Sequence, residues 1–410
     1  MKQAATKDPD QALMHRVAYV AFDRFPSSKG AATHIAKMSR FLFDRYQGGI
    51  LITLGDPDQL QCEKEETIEI RRFTKSVPNF LERTEAFALF VEDILLEFPY
   101  LTLIHFRDIW SGIGILNARA RESNNFNQKC RLLFEVNGLP SIELPYHYSS
   151  IREKTLNKIK ELEDRCMAES DQLLVPSKVI AAYLESRQNE ENKKPITVVP
   201  NAGNGSPNFA KVDPIKGPYI MYFGAMQSWQ GVGDLLRAFA LLKDYSDHSL
   251  LICSSGKEKT AKRYKKLSSR LGTEDRVIWK HRISKADLNA YIREALLTVA
   301  PLKECSRNVL QGCSPLKIFE SMACETVVVA SRLAVTEEII EDRSTGLLVN
   351  ADRPSDLSRA IRLLIEYPEK RKEWARKGKA LLEKKFTWRI VEEKMNELYS
   401  KIEALDSEQG

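Results

Sequence analysis

Short apolar runs alternate with helix-length amphipathic segments along this sequence, and that alternation limits the possible folds more than any other feature. In the first half the apolar runs predict seven strands: Arg16–Phe22, Gly49–Leu54, Thr67–Phe73, Leu101–Phe106, Arg131–Val136, Gln172–Val175 and Ile196–Val199. Apolar residues spaced near 3.6 predict helices between several of them, such as Asn79–Glu97 and Ile151–Ala168. Continuous apolar strands that are joined by helices indicate a parallel sheet covered on both faces.

A second alternating unit follows a segment without periodicity. Pro200–Pro218 is rich in Pro, Gly and Asn, which predicts a linker or hinge. Five more strands are predicted after it: Tyr219–Phe223, Ser249–Cys253, Arg276–Trp279, Leu297–Ala300 and Thr326–Ala330. The last stretch, Pro368–Ile402, predicts only helix. A chain of 410 residues is expected to form two domains, so we predict two doubly wound α/β units with ligands beyond the carboxyl ends of their strands.

Composition argues against several other classes of protein. The apolar stretch Phe87–Ile104 is interrupted by charged residues and a proline, so it does not predict a membrane span. The first residues lack the apolar core of a secretory signal, which predicts a cytoplasmic protein. The seven cysteines include no C-x-x-C pair and are predicted to be reduced and unligated.

The net charge is +6, but no nucleic-acid-binding motif accompanies it, so nucleic-acid binding is not predicted. Basic runs such as Lys262–Lys266 are most simply solvated helix faces. The same faces leave open a peripheral contact with the anionic inner face of a membrane.

The sharpest local pattern is QGCSPLKIFESMA, residues Gln311–Ala323. Ser314 is predicted to be the N-cap and Pro315 the first residue of a helix. The N-terminus of such a helix presents N–H groups and the positive end of the helix dipole, and therefore binds phosphate. Glu320 leans back toward that end, where a carboxylate suits the vicinal hydroxyls of a ribose. The alternative is an ordinary surface pair between Lys317 and Glu320.

Ordered segments of the sequence resemble those of family 4 glycosyltransferases (glycosyl transferase group 1). Ser314–Ser331, SPLKIFESMACETVVVAS, is similar to the donor-binding segment of that family. Five other segments follow the family's order: Arg24–Leu42 with Gly30 and His34, Ile104–Trp110, Pro176–Leu184, Val198–Gly203 and Tyr222–Phe239. The resemblance covers about residues 16 to 400.

The resemblance implies a GT-B fold, in which two Rossmann-like domains face each other across a cleft. The segment Lys384–Met395 resembles the start of the family's last helix, which crosses back to the first domain. The predicted organisation is a flexible tail over 1–14, an acceptor-binding domain over 15–205, a nucleotide-sugar-binding domain over 206–385, and the returning helix over 386–410. The family uses no metal, and we interpret Asp56-Pro57-Asp58 as a turn and not a metal-binding DxD motif.

The predicted donor-binding residues are Gly30, Gly224, Gln230, Arg282, Arg307, Gly312, Cys313, Ser314, Pro315, Leu316, Lys317 and Glu320; some match the family's motifs and others stand where the sequence departs from them. Arg282 is expected near the base and Glu320 near the ribose.

The sequence departs from the family at several positions, and three of them bear on the donor. Gly312 stands where the family has a first glutamate, and Ala225 and Gln230 stand where it often has Arg and Lys. A departing diphosphate needs compensating positive charge. We therefore expect Lys317, Arg307 and Lys303 to supply that charge, with backbone N–H groups of Gly312 and Cys313 partly replacing the lost carboxylate.

Residues at the ends of first-domain strands are the candidates for acceptor binding and for catalysis. His105 and Arg107 end one strand, and Asp108 would orient Arg107. The alternative for this pair is a structural Arg–Asp contact that caps a helix from Ser111. His34 and Glu135 are predicted acceptor contacts, with a packing histidine and a buried structural carboxylate as alternatives. The predicted catalytic residues are His105, Arg107, Lys317 and Glu320, acting through position and charge and not as nucleophiles.

The function that the resemblance implies is retaining, metal-independent, cofactor-free transfer of a hexose from a nucleotide-sugar to an acceptor hydroxyl. The acceptor would be a sugar, a lipid or a small molecule. Two alternatives remain: a catalytically degenerate nucleotide-sugar-binding protein, and a nucleotide-sugar epimerase of the same GT-B fold. An oxidoreductase is disfavoured, because no G-x-G-x-x-G follows a predicted strand.

Overall fold

A computed structural model describes residues 15–27, 30–121, 130–256 and 258–407 of the chain. The tail predicted over 1–14 lies outside these residues. The chain divides into two compact units. The first comprises the described residues before Ser177, then Ala181–Val199, and the residues from Glu392 onward; the second comprises Ser177–Ile180 and Pro200–Val391.

The first unit contains an eight-stranded sheet. Its strands are β1 (Val17–Arg24), β2 (Gly49–Leu54), β3 (Cys62–Glu65), β4 (Ile68–Phe73), β5 (Leu103–Phe106), β6 (Arg131–Glu135), β7 (Gln172–Val175) and β8 (Ile196–Val198). They lie in the order β3-β4-β2-β1-β5-β6-β7-β8. The β3–β4 pair is antiparallel and the other pairs are parallel.

The second unit contains a six-stranded sheet in which the paired strands are parallel. Its strands are β9 (Tyr219–Gly224), β10 (Ser249–Ser254), β11 (Val277–His281), β12 (Leu297–Ala300), β13 (Val328–Arg332) and β14 (Leu347–Asn350). Their order in the sheet is β11-β10-β9-β12-β13-β14.

Helices connect the strands of both sheets. They are α1 (Gly30–Tyr46), α2 (Phe80–Leu96), α3 (Ile109–Ala120), α4 (Pro140–His147), α5 (Glu153–Glu169), α6 (Lys178–Arg187), α7 (Val232–Ala240), α8 (Lys262–Arg270), α9 (Lys285–Glu294), α10 (Leu316–Ala323), α11 (Ala334–Glu337), α12 (Pro354–Glu366), α13 (Pro368–Lys385) and α14 (Trp388–Ser407). Among the residues described, no helix combines the length and the apolar character that crossing a bilayer requires.

Strand register brings distant polar residues together on one face of the first sheet. Tyr19 of β1 lies opposite His105 of β5, and His105 lies opposite Leu133 of β6. Because side chains on a strand alternate between faces, Glu135 projects on the same face as Leu133. The apolar neighbours of these residues are buried, which places the polar group at the end of a dry sheet.

Each sheet has a position where its parallel strands continue in opposite directions from two adjacent strands. In the first sheet this position lies between β1 and β5, and in the second between β9 and β12. Crevices beyond the carboxyl ends of the strands at such positions are where open parallel sheets bind ligands. The loops after β1, β5, β9 and β12 are therefore the first places to search for a site.

The prediction of two doubly wound α/β units is confirmed. The 12 predicted strands are present with small shifts at their ends, and two strands were missed. β3 has the polar sequence CEKE and lies at an exposed edge, so it carries no apolar run. β14 is only four residues long. Pro200–Pro218 contains no helix or strand apart from a single bridge at Gly203, as its composition predicted.

Candidate functional site

In the second unit, the loop after β9 passes very close to the end of β12. Gly231 has a φ of +69°, and a Cβ atom there would lie 1.7 Å from the carbonyl oxygen of Pro301. Only glycine fits this position. Gly224, with a φ of +119°, faces Lys317, whose Cε and Nζ atoms would lie 3.8 and 3.9 Å from an added Cβ.

The helix α10 begins at Leu316 and not at the predicted position. Pro315 is its N-cap, and no side chain caps the helix. The prediction that Ser314 caps the helix was wrong, because the Ser314 side chain accepts a hydrogen bond from Asn201 instead. The backbone N–H of Asn201 donates to Ser314 Oγ at 2.9 Å, and the Asn201 side chain donates to the Ser314 carbonyl at 2.7 Å. The N-terminus of α10 is therefore fixed by the Asn201 loop.

Lys317 lies in the first turn of α10 and is only 9% exposed. Its ammonium group donates to Gln230 Oε1, lies 3.4 Å from the Tyr222 hydroxyl, and sits 4.4 Å from the centre of the Tyr222 ring. Both of these partners are neutral, and no ion pair of Lys317 is found in the described part of the chain. Burial lowers the pKa of Lys317 to about 7, since desolvation disfavours the charged form.

Glu320 lies one turn further along α10 and forms an ion pair with Lys285 of α9. Its side chain is 21% exposed and lines a cavity of about 220 Å³. Asn204, Asn208 and Asn289 also line that cavity. The carboxylate therefore reaches open space beside amide groups, as a ribose-binding carboxylate would require. The alternative prediction, a surface pair between Lys317 and Glu320, is wrong, since each has a different partner.

The other predicted donor residues of the second unit lie in loops. Arg307 belongs to a π-helical turn, Arg307–Gln311, donates to the Gly312 carbonyl at 2.9 Å and lies 5.6 Å from the Trp229 ring. Cys313 is half-buried and forms no disulfide.

Two other cationic residues lie after strands. Lys303 follows β12 and is paired with Asp234 at 3.0 Å and Asp352 at 2.7 Å. Its charge is thus already compensated. Arg282 follows β11, is exposed, and has a φ of +51°. Gly30 is the first residue of α1 in the first unit.

In the first unit, the buried carboxylate of Glu135 contacts polar groups from β1, β5, α1 and the loop after β6. Glu135 is 3% exposed and accepts a hydrogen bond from the Tyr19 hydroxyl at 2.9 Å. Its Oε1 lies 2.5 Å from His34 Nε2 and accepts a hydrogen bond from the Asn137 amide. Its Oε2 lies 3.1 Å from His105 Nε2, without the alignment of a hydrogen bond. We call these five residues the Glu135 cluster.

The electrostatics of the Glu135 cluster favour a carboxylate beside a neutral His105. Burial alone would raise the pKa of Glu135, but the neighbouring His34 and His105 hold it well below its usual range. Burial lowers the pKa of His105, whose ring is 0% exposed. The other ring nitrogen, Nδ1, lies 3.1 Å from the hydroxyl of Tyr399 on α14.

Arg107 and Asp108 follow β5 and have separate partners. Arg107 donates to Asp23 at 2.9 Å and lies 3.8 Å from Glu135 Oε1. Asp108 accepts from the backbone N–H groups of Phe22 at 2.7 Å and Ser111 at 2.8 Å, and caps α3. The prediction that Asp108 orients Arg107 was wrong, because both of its oxygens bind backbone. Burial raises the pKa of Asp108 to about 6.

A cavity of about 410 Å³ opens beside Arg107 and Asp108 within the first unit. Arg107 and Asp108 line it, whereas His34, His105 and Glu135 are buried and do not line it. The residues that line it are Phe22, Asp23, Phe80, Arg107, Asp108, Trp110, Asn137, Gly138, Pro140, Glu143, Leu144, His147 and Tyr148.

Sequence reasoning missed several members of these sites. Asp23 is the second-last residue of β1 and Asn137 lies two residues after β6, so the strand-end rule applied to the Arg107 position would have found them. Tyr399 is 294 residues from His105 and carries no local signal. Lys285, the partner of Glu320, looks like any surface residue of an amphipathic helix.

The structure also bears on metal-binding groups. Asp56 and Gln59 form a turn, with the Gln59 N–H donating to the Asp56 carbonyl at 3.0 Å, and Asp56 is paired with Arg24. The interpretation of Asp56-Pro57-Asp58 as a turn is thus confirmed. Within residues 15–27, 30–121, 130–256 and 258–407, no three His, Cys, Asp or Glu side chains form a group that could hold a metal ion.

Comparison with known families gives the class of protein. The model for glycosyl transferases group 1 matches residues 208–381, and the model for glycosyltransferase family 4 matches residues 28–203. The chain belongs to the family 4 (group 1) glycosyltransferases.

Curated relatives match parts of the chain. An uncharacterized glycosyltransferase of Methanocaldococcus jannaschii is 29% identical over 223 residues, which is 53% of this chain and 56% of the relative. A D-inositol 3-phosphate glycosyltransferase of Corynebacterium glutamicum is 27% identical over 194 residues, 46% of this chain and 44% of the relative. The matches span about half the length of these relatives.

Solved structures share the GT-B fold over nearly the whole chain. Sucrose-phosphate synthase from Thermosynechococcus elongatus superimposes with a TM-score of 0.78 at 19% identity, covering 95% of this chain and 100% of that one. Anabaena HepE in complex with UDP-glucose gives a TM-score of 0.70 at 17% identity, covering 94% and 99%. The GT-B prediction is confirmed.

Proposed function

We propose that this chain is a retaining glycosyltransferase that moves a hexose from a nucleotide-sugar to an acceptor hydroxyl without a metal ion. The observation that carries the proposal is Lys317, a buried ammonium with neutral partners in the first turn of α10. A buried charge without a counter-charge is costly for a folded protein. A donor diphosphate at this helix end would supply the missing negative charge.

The position of Lys317 within the second sheet supports this assignment. It lies beside Gly224, at the end of β9, where the strand order reverses. Because Gly224 has no side chain, a diphosphate could approach both the backbone there and the ammonium group. Glu320, beside the 220 Å³ cavity, is suitably placed to accept hydrogen bonds from the ribose hydroxyls. HepE, one of the similar folds, has been solved with UDP-glucose, which supports a nucleotide-sugar as the ligand class.

In the proposed reaction the acceptor oxygen bonds to the anomeric carbon as the bond from that carbon to the diphosphate oxygen breaks. The diphosphate leaves with the bonding electrons and takes the proton of the acceptor hydroxyl. Attack and departure occur on one face of the sugar, so the configuration is retained. The protein supplies position and charge: Lys317 and the N-terminus of α10 stabilise the negative charge that grows on the leaving group.

Two measurements test the proposal. The first is a thermal-shift screen with UDP, GDP, ADP and their sugars, because a ligand at 100 times its Kd stabilises a protein by about 2.7 kcal/mol. The second is product analysis by NMR with the donor so identified and a panel of sugar and lipid acceptors. We expect one nucleotide to shift the melting temperature and the new glycoside to keep the donor's anomeric configuration. An inverted product, or a requirement for a divalent cation in chelated buffer, would contradict the proposal.

A catalytically degenerate nucleotide-sugar-binding protein is the second candidate. It is favoured by Gly312, Ala225 and Gln230, which stand where the family commonly has a glutamate and two cations. Such a protein would bind the donor in the thermal-shift screen but would neither hydrolyse it nor transfer its sugar. A nucleotide-sugar epimerase would instead return the donor with one stereocentre inverted, which the same NMR analysis detects.

A cytoplasmic location and a contact with an anionic membrane surface also belong to this proposal. The exposed face of α8 supports the contact, since Lys262, Arg263, Lys266 and Arg270 are exposed there. Flotation with vesicles of phosphatidylcholine, with and without phosphatidylserine, tests it. Equal recovery with both vesicles would contradict it.

A further inference from the structure

The 410 Å³ cavity of the first unit has two chemically different walls. One consists of aromatic side chains, and the other of polar groups in which acids outnumber bases. Its volume falls within the range of about 300–1,000 Å³ that is usual for small-molecule sites. If the chain transfers sugars as proposed, this cavity could hold the acceptor.

The aromatic wall is a connected group of four rings. Phe80 lies 5.6 Å from Trp110, 5.9 Å from Tyr148 and 6.0 Å from Phe22, measured between ring centres. Trp110 is 6% exposed and Tyr148 is 45% exposed, so the wall runs from the interior to the surface. Ring faces of this kind pack against apolar C–H surfaces, such as one side of a sugar ring, while the Tyr148 hydroxyl remains available to water or ligand.

The polar wall carries the three carboxylates of Asp23, Asp108 and Glu143, and two basic groups, the guanidinium of Arg107 and the imidazole of His147. The guanidinium of Arg107 is already engaged by Asp23 at 2.9 Å and has Glu135 at 3.8 Å. Asp108 directs its oxygens at backbone N–H groups. Ionised Asp23 and Glu143 can only accept hydrogen bonds, which suits hydroxyl groups.

We propose that this cavity binds an uncharged sugar ring as the acceptor and discriminates against phosphorylated sugars. This inference rests on the proposed function, because it assigns the acceptor class of the same enzyme. Aromatic rings would hold one face of the sugar, and the carboxylates of Asp23 and Glu143 would accept hydrogen bonds from its hydroxyls. A phosphate group placed there would face more negative than positive charge.

A protein that selects a phosphate normally offers it free Arg or Lys donors, often two at a time. Here the single arginine of the cavity has a carboxylate partner. Discrimination by placing like charges against the wrong ligand is a common source of specificity.

The test compares matched sugars that differ by one phosphate. We would titrate the full chain, saturated with the nucleotide found in the thermal-shift screen, with glucose and glucose 6-phosphate and with myo-inositol and its 3-phosphate. Saturation-transfer NMR reports contact with the aromatic wall. We expect the neutral member of a pair to bind at least about tenfold more tightly, as like-charge contacts at a partly hydrated site would give.

Variants separate the two walls. Asp23→Asn combined with Glu143→Gln should narrow or reverse the preference, because it removes two negative charges and releases Arg107. Tyr148→Ala should weaken binding of the neutral sugar while leaving the melting temperature close to that of the parent. The control is Asp58→Asn, which replaces an exposed carboxylate in a turn of the same unit. It should change the affinity for neither the neutral nor the phosphorylated sugar.

Several results would overturn the inference. They are equal or tighter binding of the phosphorylated sugars, no saturation transfer to any neutral sugar up to its solubility limit, or an unchanged preference in the double variant. The readout is binding, so it is independent of transfer. A chain that bound neutral sugars and never transferred a hexose would refute the proposed function and the acceptor role, and would leave only the preference of the cavity for neutral sugars.

Discussion

The two units differ in whether a buried charged group has charged partners at the place where the strand order reverses. In the first unit, the Glu135 carboxylate is surrounded by Tyr19, His34, His105 and Asn137, with Arg107 nearby, and Arg107 has Asp23 as well. In the second unit, the ammonium of Lys317 contacts the neutral groups of Gln230 and Tyr222.

This difference indicates which class of ligand each unit is suited to bind. The charges of the first unit compensate one another without a ligand, so this unit is suited to a neutral partner that binds through shape and hydrogen bonds. The second unit retains a cation that lacks a counter-charge among the described residues. An anionic diphosphate would complete it. The following predictions test this contrast, beginning with the largest expected effect.

Glu135→Gln tests whether the first unit depends on its internal charge balance. Removing one partner of a buried charge network costs about 3–5 kcal/mol, which corresponds to a fall of roughly 6–20 °C in melting temperature. Thermal unfolding by circular dichroism measures it. Asp44→Asn, which breaks the exposed Arg40–Asp44 pair, is the control and should cost about 0.5 kcal/mol or less.

The same carboxylate gives a pH dependence of stability. Its pKa is lowered in the folded state, so the folded protein binds the proton less readily than the unfolded chain. The stabilisation is complete above the unfolded pKa of about 4.3 and is lost as the pH falls toward the folded pKa. A parent and a Glu135→Gln variant with the same acid dependence below that pH would contradict this account.

Lys317→Met tests whether the second unit depends on its uncompensated cation. We expect turnover to fall by about 10²–10³-fold, the usual loss when one group that stabilises a developing negative charge is removed. Folding should be unaffected or improved, because a buried charge is lost. Lys303→Met is the matched control: its charge is already paired with Asp234 and Asp352, so its effect should be about fivefold or less. Equal losses in both variants would remove the contrast.

Proton uptake on nucleotide binding sharpens the same point. The pKa of Lys317 is lowered to about 7 by burial, and a bound diphosphate should raise it by favouring the charged form. At pH 8 the free protein is mostly neutral at this site, so binding of UDP should take up about one proton. Calorimetry in two buffers of different ionisation enthalpy measures the number, and Lys317→Met should take up none.

The lowered pKa of Lys317 also sets the direction in which the free energy of unfolding changes with pH. Between about pH 7 and pH 10, the unfolded chain carries the lysine proton and the folded protein does not, so stability of the ligand-free protein should rise with pH. The effect should be absent from Lys317→Met when both are unfolded in urea over this pH range. A parallel pH dependence of the two proteins would show that Lys317 keeps its charge when folded.

Tyr399→Phe is expected to have the smallest effect. It removes the hydroxyl that lies 3.1 Å from His105 Nδ1, at a cost of about 1 kcal/mol, or roughly 2–4 °C in melting temperature. The ¹⁵N shifts of the His105 ring report whether its tautomer changes. An unaltered melting temperature and unaltered shifts would mean that α14 does not hold this histidine.

Much of the fold was predictable because buried parallel strands must be apolar over several consecutive residues. β1, β5 and β9 have this property, and so their sequences alone located them. β3 lacked any apolar run, and β14 was too short to stand out. The start of α10 was misplaced because Asn201, more than a hundred residues away, uses the Ser314 side chain that would otherwise cap it.

The sequence predicted the individual residues of the candidate sites, but not which residues would contact one another. Strand ends and family motifs pointed to Arg107, Glu135, Lys317 and Glu320. The partners that determine their chemistry come from distant segments: Asp23 for Arg107 and Lys285 for Glu320. Whether a charge has a partner depends on tertiary structure, and one sequence contains no local signal for it.

The central claim is that a diphosphate binds against the first turn of α10 beside Lys317. A crystal structure of the chain with UDP tests it most directly. We predict phosphate oxygens within hydrogen-bond distance of Lys317 Nζ and of backbone N–H groups between Gly312 and Lys317, with the ribose hydroxyls on Glu320. Phosphates bound elsewhere, with Lys317 still donating only to Gln230, would contradict the account.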